Sequence, residues 1–281
     1  MSEQGLEKND WSQAEKFFAR SWTHIFYFWK LRQVMLANTV KKLLKQRKED
    51  APTRIIDLGC GPGTNIFDVY DVCSDFKQVE WFGLDLNQRE AAMGSARSKY
   101  RVQERDMEAI HFMSGDIFKL PFADSSIDIL ISSEVVEHLP EPLPALKEMQ
   151  RVLKPGGYAM VTTPNPRNLP EMLGYALDKI TLGGFKKFYW KGQDEVSAPK
   201  LSAEVGFGHV SVHPYPIWRD WFEEIGMPVV KKVRGPMLFG SPFFDRQRFL
   251  VGLLVIIDPI LDWLPFRFMT TTNLGMLCRK K

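Results

Sequence analysis

From position 53 onward, short apolar runs alternate with longer stretches of helical periodicity. Apolar runs of this length are typical of strands buried on both faces of a parallel sheet, with helices joining one strand to the next. The pattern predicts strands over 54–58, 79–85, 110–114, 127–132, 158–162, 228–233 and 272–279, and helices over 65–72, 88–99, 143–153 and 217–225. We therefore expect an α/β protein with a doubly wound sheet.

A helical extension precedes this alternation. Ser12 followed by Glu15 is typical of a capping box at a helix start. Behind it, apolar residues recur at the steps of one helix face, namely Phe18, Trp22, Ile25, Trp29, Leu36, Val40 and Leu43. We predict a helical cap over 1–50 and a single α/β domain over 51–281, with insertions at about 165–213 and 235–270.

The charge and cysteine content limit the classes of partner and compartment. The chain has 37 Lys and Arg against 34 Asp and Glu, a net charge of +3, which argues against a DNA partner and disfavours RNA.

Three cysteines form no disulfide framework, and the N-terminus has no secretory pattern. The apolar stretch at 249–266 is interrupted by Asp and Pro and is too short to span a bilayer. A cytoplasmic location is expected.

A loop with three glycines follows the first predicted strand. Gly59, Gly61 and Gly63 let a ligand approach the backbone closely, and the helix that follows presents free amides. A dinucleotide fingerprint would place its third glycine where Thr64 stands. Asp57, two residues before the first glycine, suits a cofactor with an ammonium group and would repel a pyrophosphate. The loop therefore argues against NAD.

Two more carboxylates end the neighbouring predicted strands. Asp85 stands where a ribose-binding carboxylate is found in such folds, and Asp116 closes the third strand. The carboxyl ends of parallel strands meet at one edge of a sheet. We therefore expect Asp57, Asp85 and Asp116 to face the same crevice.

Together these features resemble the class I S-adenosylmethionine-dependent methyltransferases, over roughly 53–233 and the last strand. The resemblance rests on the glycine loop and on the sequences GLDLN at 83–87, LPF at 120–122 before SID at 126–128, and RVLKPGG at 151–157. It implies a Rossmann-like sheet of order 3-2-1-4-5-7-6 with an antiparallel last strand, and S-adenosylmethionine as the cofactor.

The resemblance also implies roles for particular residues. Asp85 is expected to bind the ribose hydroxyls, Asp116 and Ile117 to hold the adenine, and the glycine loop to hold the amino-acid moiety. The cofactor-binding residues expected on this basis are Asp57, Gly59, Cys60, Gly61, Gly63, Asp85, Leu86, Asp116, Ile117 and Ser133.

Charged residues cluster after the fourth predicted strand. Glu134, Glu137 and His138 are spaced three and four apart, a spacing that places residues on one face of a helix. Methyl transfer to a hydroxyl group requires removal of its proton, so His138 and Glu137 are the candidate catalytic residues. The alternative is structural: a packed histidine, and glutamates that stabilise a helix start.

The same cluster resembles the Glu-x-x-Glu-His metal-binding motif of two subfamilies, the ubiquinone-biosynthesis O-methyltransferases and the small-RNA terminal 2′-O-methyltransferases. In both, another histidine lies after the fifth strand; here His209 is the candidate and His213 the reserve. The resemblance implies a divalent metal such as Mg²⁺ bound by Glu134, Glu137, His138 and His209. The RNA enzymes have a second histidine where Leu139 stands, which counts against RNA.

The two predicted insertions are rich in aromatic residues, and the one at 183–191 interleaves them with lysines. Such segments could line an apolar pocket, contact an anionic membrane or pack as a lid. We expect O-methylation of a small-molecule or lipid- or quinone-like acceptor, with peripheral membrane contact through 235–270. The alternatives are methylation of an RNA end, carbon methylation of a lipid, and a non-catalytic cofactor-binding scaffold.

Overall fold

The fold was analysed in a computed structural model, which describes residues 24–47, 51–167, 169–182, 184, 209–234, 271 and 273–281. The predicted capping box and most of both predicted insertions, including the apolar stretch at 249–266, lie outside these residues. The predicted division at residue 50 therefore stays a prediction.

Seven strands form one mixed sheet. They are β1 (Thr53–Leu58), β2 (Val79–Asp85), β3 (Ile110–Ser114), β4 (Ile127–Ser133), β5 (Leu153–Pro164), β6 (Val229–Arg234) and β7 (Asn273–Arg279). Their order is β3-β2-β1-β4-β5-β7-β6, and β7 is antiparallel to both of its neighbours. This confirms the predicted order and the antiparallel last strand.

Six helices accompany the sheet in the described part of the chain. They are α1 (His24–Lys45), α2 (Thr64–Cys73), α3 (Gln88–Arg101), α4 (Pro142–Val152), α5 (Leu169–Ile180) and α6 (Tyr215–Glu224). Helix α5 was not predicted, because Pro170 and Gly174 suggested an irregular segment. Proline is tolerated in the first turn of a helix, where its missing amide has no partner to lose.

Hydrophobic cores lie on both faces of the sheet. On one face, Leu36 and Val40 of α1 are fully buried with residues of α2, β1 and β4. On the other face, Leu146 of α4 and Trp218 of α6 pack with residues of β4, β5 and β7. Helix α1 therefore contributes to the same core as the sheet, and its predicted apolar face is confirmed at Leu36, Val40 and Leu43.

A bulge displaces the first residues of β5. Ile127 pairs with Leu153 and Ile129 with Tyr158, so residues 154–157 stand opposite Asp128 alone. Gly156 has a φ of 77°, and a Cβ on Gly157 would come within 2.8 Å of the Lys154 carbonyl oxygen. The sequence KPGG thus forms a loop within the strand that brings the Lys154 Nζ to 2.9 Å from Asp128.

Within the described residues, no helix combines the length and the apolar character that a membrane span requires. All three cysteines are free and buried.

Candidate active site

The glycine loop joins β1 to α2 with three residues in the left-handed region of φ. Gly59, Gly61 and Gly63 have φ values of 66°, 50° and 80°. The amides of Gly59 and Cys60 both donate to the Leu84 carbonyl oxygen, at 2.8 and 3.2 Å. Because L-residues pay a steric penalty in this region, the loop is specific for glycine at all three positions.

The three glycines face different surroundings. A Cβ on Gly59 would lie 2.5 Å from a Val135 methyl, and one on Gly63 would lie 2.5 Å from the Phe112 ring. A Cβ on Gly61 would meet nothing within 4 Å. Gly59 and Gly63 therefore permit close packing of the protein on itself, whereas Gly61 is where a ligand can approach the backbone.

Asp85 fixes this loop from the end of β2. Its Oδ2 accepts a hydrogen bond from the Gly61 amide and its Oδ1 accepts one from the Asn87 amide, both at 2.8 Å. The adjacent Leu86 is 64% exposed, which leaves its side chain available to cover a ligand.

Asp57 is a buried carboxylate at the end of β1. Burial raises its pKa to about 8; the Asn65 amide lowers this pKa, the Asp85 charge raises it and Arg32 lowers it. Neither carboxylate oxygen has a hydrogen bond of good geometry from the described residues. A buried acceptor without a donor is costly, so this carboxylate fits an incoming ammonium group. Together with the open backbone at Gly61, it suits the methionine moiety of S-adenosylmethionine.

The other expected cofactor residues lie around this loop. Asp116 is exposed, and its Oδ1 accepts from the Phe118 amide at 2.9 Å in the turn after β3. Ile117 is half-buried against the core, and Cys60 is buried, with its Sγ 3.3 Å from the Gly61 carbonyl oxygen. Ser133 is also buried, and its hydroxyl is bonded to the Thr162 hydroxyl at 3.0 Å.

Glu137 follows β4 and is completely buried. Burial raises its pKa to about 8, the Glu134 charge adds to the rise, and Arg32 is among the groups that lower it. The Thr163 side chain also lowers this pKa, but neither carboxylate oxygen has a hydrogen bond of good geometry from the described residues. The main-chain oxygen of Glu137 accepts from the amides of Val210 and Ser211, both at 2.9 Å. These bonds bring the segment that carries His209 to the end of β4.

Glu137, His138 and His209 come together at this point. One ligand atom from each lies within 4.8 Å of the others, and the His138 Nε2 is 4.0 Å from a Glu137 oxygen. The two imidazole rings are 5.0 Å apart. His213 lies elsewhere, with its ring 5.0 Å from that of Trp221. The structure thus places His209, and not His213, in the cluster.

Glu134 does not join the three other predicted metal ligands. The Glu134 carboxylate accepts hydrogen bonds from the Thr162 hydroxyl at 2.9 Å and from the Asn273 side-chain amide at 2.6 Å. It also lies 3.6 Å from the Arg32 guanidinium. Spacing alone suggested a shared helix face with Glu137, but Glu134 has a φ of 57° and precedes a short 3₁₀ turn at Val136–His138. The helical spacing rule therefore does not apply here.

Arg32 and Asn273 were not predicted as residues of this site. Asn273 belongs to the far end of the chain, and no local pattern links it to Glu134. Arg32 did leave a signal, because it lies three residues after Trp29 and four before Leu36, on the apolar face of the predicted helix. A lone arginine on such a face indicates a buried partner.

The sheet order, with the glycine loop and the buried carboxylate before it, is that of a class I methyltransferase fold. Residues 49–190, half of the chain, match the model of a methyltransferase domain. The chain belongs to this methyltransferase domain family.

Individual relatives agree with this family. The chain is 37% identical over 109 residues to an uncharacterized methyltransferase of Schizosaccharomyces pombe, a match covering 37% of each protein. It is 26% identical to a demethylmenaquinone methyltransferase of Bacillus pumilus, over 62% of this chain and 79% of that protein. The match to the first of these spans well under two thirds of that protein's length.

Solved structures share the fold. A methyltransferase of Haloferax volcanii, solved in complex with the Trm112 methyltransferase activator, superposes with a TM-score of 0.52 at 18% identity. The match covers 92% of this chain and 98% of that one. At this identity the likeness extends to the fold alone.

Proposed function

We propose that this protein transfers the methyl group of S-adenosylmethionine to a hydroxyl group of a small-molecule or lipid-like acceptor. The observation that carries the proposal is the Glu137–His138–His209 cluster next to the glycine loop. The packing of Gly59 against Val135 brings the loop directly against the segment that holds the cluster.

Asp57 and Gly61 account for the donor. A buried carboxylate without a hydrogen bond of good geometry from the described residues favours an ammonium group, and the open side of Gly61 lets the methionine chain lie against the backbone. When bound, S-adenosylmethionine supplies a methyl group on a positively charged sulfur. The protein then has to orient the acceptor in line with that methyl and remove a proton from it.

His138 is the proposed base. Its side chain is partly exposed, so it can meet an acceptor hydroxyl, and its Nε2 lies 4.0 Å from the buried Glu137 carboxyl group. When His138 accepts the hydroxyl proton, an imidazolium forms beside that group. An ionised Glu137 would stabilise this charge, which is the role of the carboxylate in other histidine bases.

The same three residues also form a candidate metal site. Two imidazoles and one carboxylate are suitable ligands for a divalent ion, and the Glu137 oxygens have no hydrogen bond of good geometry from the described residues. A metal there would lower the pKa of a bound hydroxyl. Glu134 is not among the proposed ligands, because Thr162 and Asn273 already bond its carboxylate.

Enzyme assays with and without EDTA separate the two roles of the cluster. If His138 is a base without metal, His138→Ala lowers kcat by roughly 10²–10⁴-fold and EDTA has no effect. If the cluster holds a metal, EDTA and His209→Ala both abolish turnover and added Mg²⁺ or Zn²⁺ restores the EDTA-treated enzyme. His213→Ala is the matched control, since His213 lies outside the cluster. Full activity of His138→Ala would refute both roles.

A lipid- or quinone-like acceptor is supported by the similarity to a demethylmenaquinone methyltransferase and by the aromatic insertions in the sequence. We propose peripheral membrane contact through 235–270 on the same ground. Sedimentation with vesicles containing anionic phosphatidylglycerol tests this contact, and a protein that stays in the supernatant at low salt refutes it. An RNA acceptor would instead produce a salt-sensitive shift of RNA in a gel.

A further inference from the structure

A cavity of about 250 Å³ opens at the edge of the sheet opposite the glycine loop. It lies between the C-terminal end of α2, the first residues of β2 and the segment that leads into β3. Trp81 of β2 lines it, four residues before Asp85 and so about 13 Å away along an ideal strand. The cavity is therefore separate from the candidate active site. Its volume is that of about eight water molecules, which is room for a small organic molecule.

Three aromatic side chains line this cavity. Trp81 and Tyr70 are 3% and 4% exposed, and their rings meet edge to face with centroids 6.2 Å apart. Phe76, which follows the end of α2, is half-buried at the same cavity. The face of an aromatic ring carries partial negative charge, so several rings around one space attract a cation with an apolar body.

The charge of the lining has the matching sign. Among the described residues that line the cavity, two are acidic, Glu80 and Asp106, and none is basic. Glu80 accepts a hydrogen bond from the Arg54 Nε at 2.7 Å, and the Arg54 side chain is 46% exposed. An exposed ion pair of this kind contributes little free energy, so the Glu80 carboxylate can also stabilise a cation in the cavity.

The Tyr70 hydroxyl connects one of the rings to this negative charge. It donates to the Asp106 Oδ2 at 2.7 Å and accepts from the Gln103 amide at 3.3 Å. Donation to a carboxylate increases the electron density of the phenol ring, which strengthens the attraction between the ring face and a cation. The same bonds fix the orientation of the ring, so this part of the wall is formed before a ligand binds.

The turn before β2 forms a strained part of the cavity rim. Gln78 lines the cavity with a φ of 60°, in the left-handed region that residues other than glycine rarely adopt. Its carbonyl oxygen accepts from the Thr53 amide at 2.8 Å, which ties the turn to the start of β1. Strained conformations of this kind persist where the surrounding structure fixes them, and they concentrate at functional sites.

We propose that this cavity binds a small organic cation, an ammonium or quaternary ammonium group on a short apolar body. The rings of Tyr70, Phe76 and Trp81 contact the cationic head, and the carboxylates of Glu80 and Asp106 balance its charge. The site lies away from the donor and depends on neither the cofactor nor the methyl acceptor.

An NMR titration with two probes of equal shape tests this site. Choline carries a quaternary ammonium group, and 3,3-dimethylbutan-1-ol is its neutral isostere. The indole N–H signal of Trp81, assigned by its loss in Trp81→Phe, reports binding in the cavity itself. We expect choline to bind at least about ten-fold more tightly than the neutral alcohol, because only the cation is attracted by the rings and the carboxylates.

Two variants at partly exposed positions separate the charge from the rings. Glu80→Gln and Phe76→Leu should each lower the affinity for choline about two- to five-fold and change the affinity for the alcohol less. Glu108→Gln is the matched control, because Glu108 is an exposed acid of the segment before β3 that does not line the cavity.

Three results would overturn the proposal: equal affinity for the two probes, no shift of the Trp81 signal with either probe, or wild-type affinity for choline in both Glu80→Gln and Phe76→Leu. The titration uses the full chain without cofactor or acceptor, so a failure to find methyl transfer leaves this test intact.

Discussion

The Arg47 guanidinium contacts the buried Asp128 carboxylate at 2.5 Å, at the start of β4. At the other end of the same strand, Arg32 approaches Glu134. In ideal helix geometry Arg32 and Arg47 are about 22 Å apart, and in ideal strand geometry Asp128 and Glu134 are about 20 Å apart. The two spacings match closely enough for both contacts to form at once. The N-terminal helix is thus attached to both ends of β4, the strand that leads into the candidate catalytic cluster.

Removing the first of these contacts should destabilise the fold. Asp128 also pairs with Lys154 and accepts from the Arg54 amide, so it retains partners in Arg47→Ala. We expect a loss of about 1–2 kcal/mol in the free energy of unfolding, near the lower end for a hydrogen bond to a charged group. Denaturant-induced unfolding of the wild type and the variant measures this loss of free energy. Lys42→Ala, an exposed charge on the same helix, is the control, and equal midpoints for the two variants would contradict the prediction.

The stability of the ligand-free protein should decrease as the pH rises from about 5 to 8. The pKa values of Asp57 and Glu137 are raised from 3.8 and 4.5 to about 8. In this range the unfolded chain has lost protons that the folded protein keeps, so the free energy of unfolding falls. Thermal unfolding at a series of pH values checks this. Glu137→Gln should flatten the dependence, and an unchanged slope in that variant would be evidence against the raised pKa.

Cofactor binding should be linked to proton release. An ammonium group binds best to ionised Asp57, whose pKa of about 8 leaves it mostly protonated at pH 6. The affinity for S-adenosylhomocysteine should therefore increase between pH 6 and about 7.5, with proton release on binding. Calorimetry in two buffers of different ionisation enthalpy measures the released protons. In Asp57→Asn the affinity should be lower and no longer depend on pH in this way.

Two glycines of the loop should respond differently to alanine. A methyl group on Gly63 collides with Phe112, whereas one on Gly61 projects into open space. Gly63→Ala should lower the melting temperature by several degrees more than Gly61→Ala, which bears only the cost of its positive φ, about 1–2 kcal/mol. Gly61→Ala should mainly weaken binding of S-adenosylhomocysteine. Equal melting temperatures for the two variants would contradict this assignment of roles.

The fold was predictable because buried parallel strands are encoded as continuous apolar runs, and the predicted ends of β2 and β3 agree with the structure. The candidate site was predictable only where its residues are close in sequence, as in the glycine loop. The position of Glu134 was not, because its left-handed φ and the following 3₁₀ turn break the assumed helical spacing. Its contacts with Arg32 and Asn273 join distant parts of the chain, and no local pattern encodes them.

We propose methyl transfer from S-adenosylmethionine to a hydroxyl group next to the Glu137–His138–His209 cluster. It is tested most directly by incubating the full chain with methyl-labelled S-adenosylmethionine and separate lipid, small-metabolite and RNA fractions, followed by mass spectrometry. We predict one labelled product in the lipid or small-metabolite fraction, with the methyl on oxygen, that disappears with Asp57→Ala and His138→Ala. Tight binding of S-adenosylhomocysteine without any labelled product, or a product that forms equally in His138→Ala, would contradict the claim.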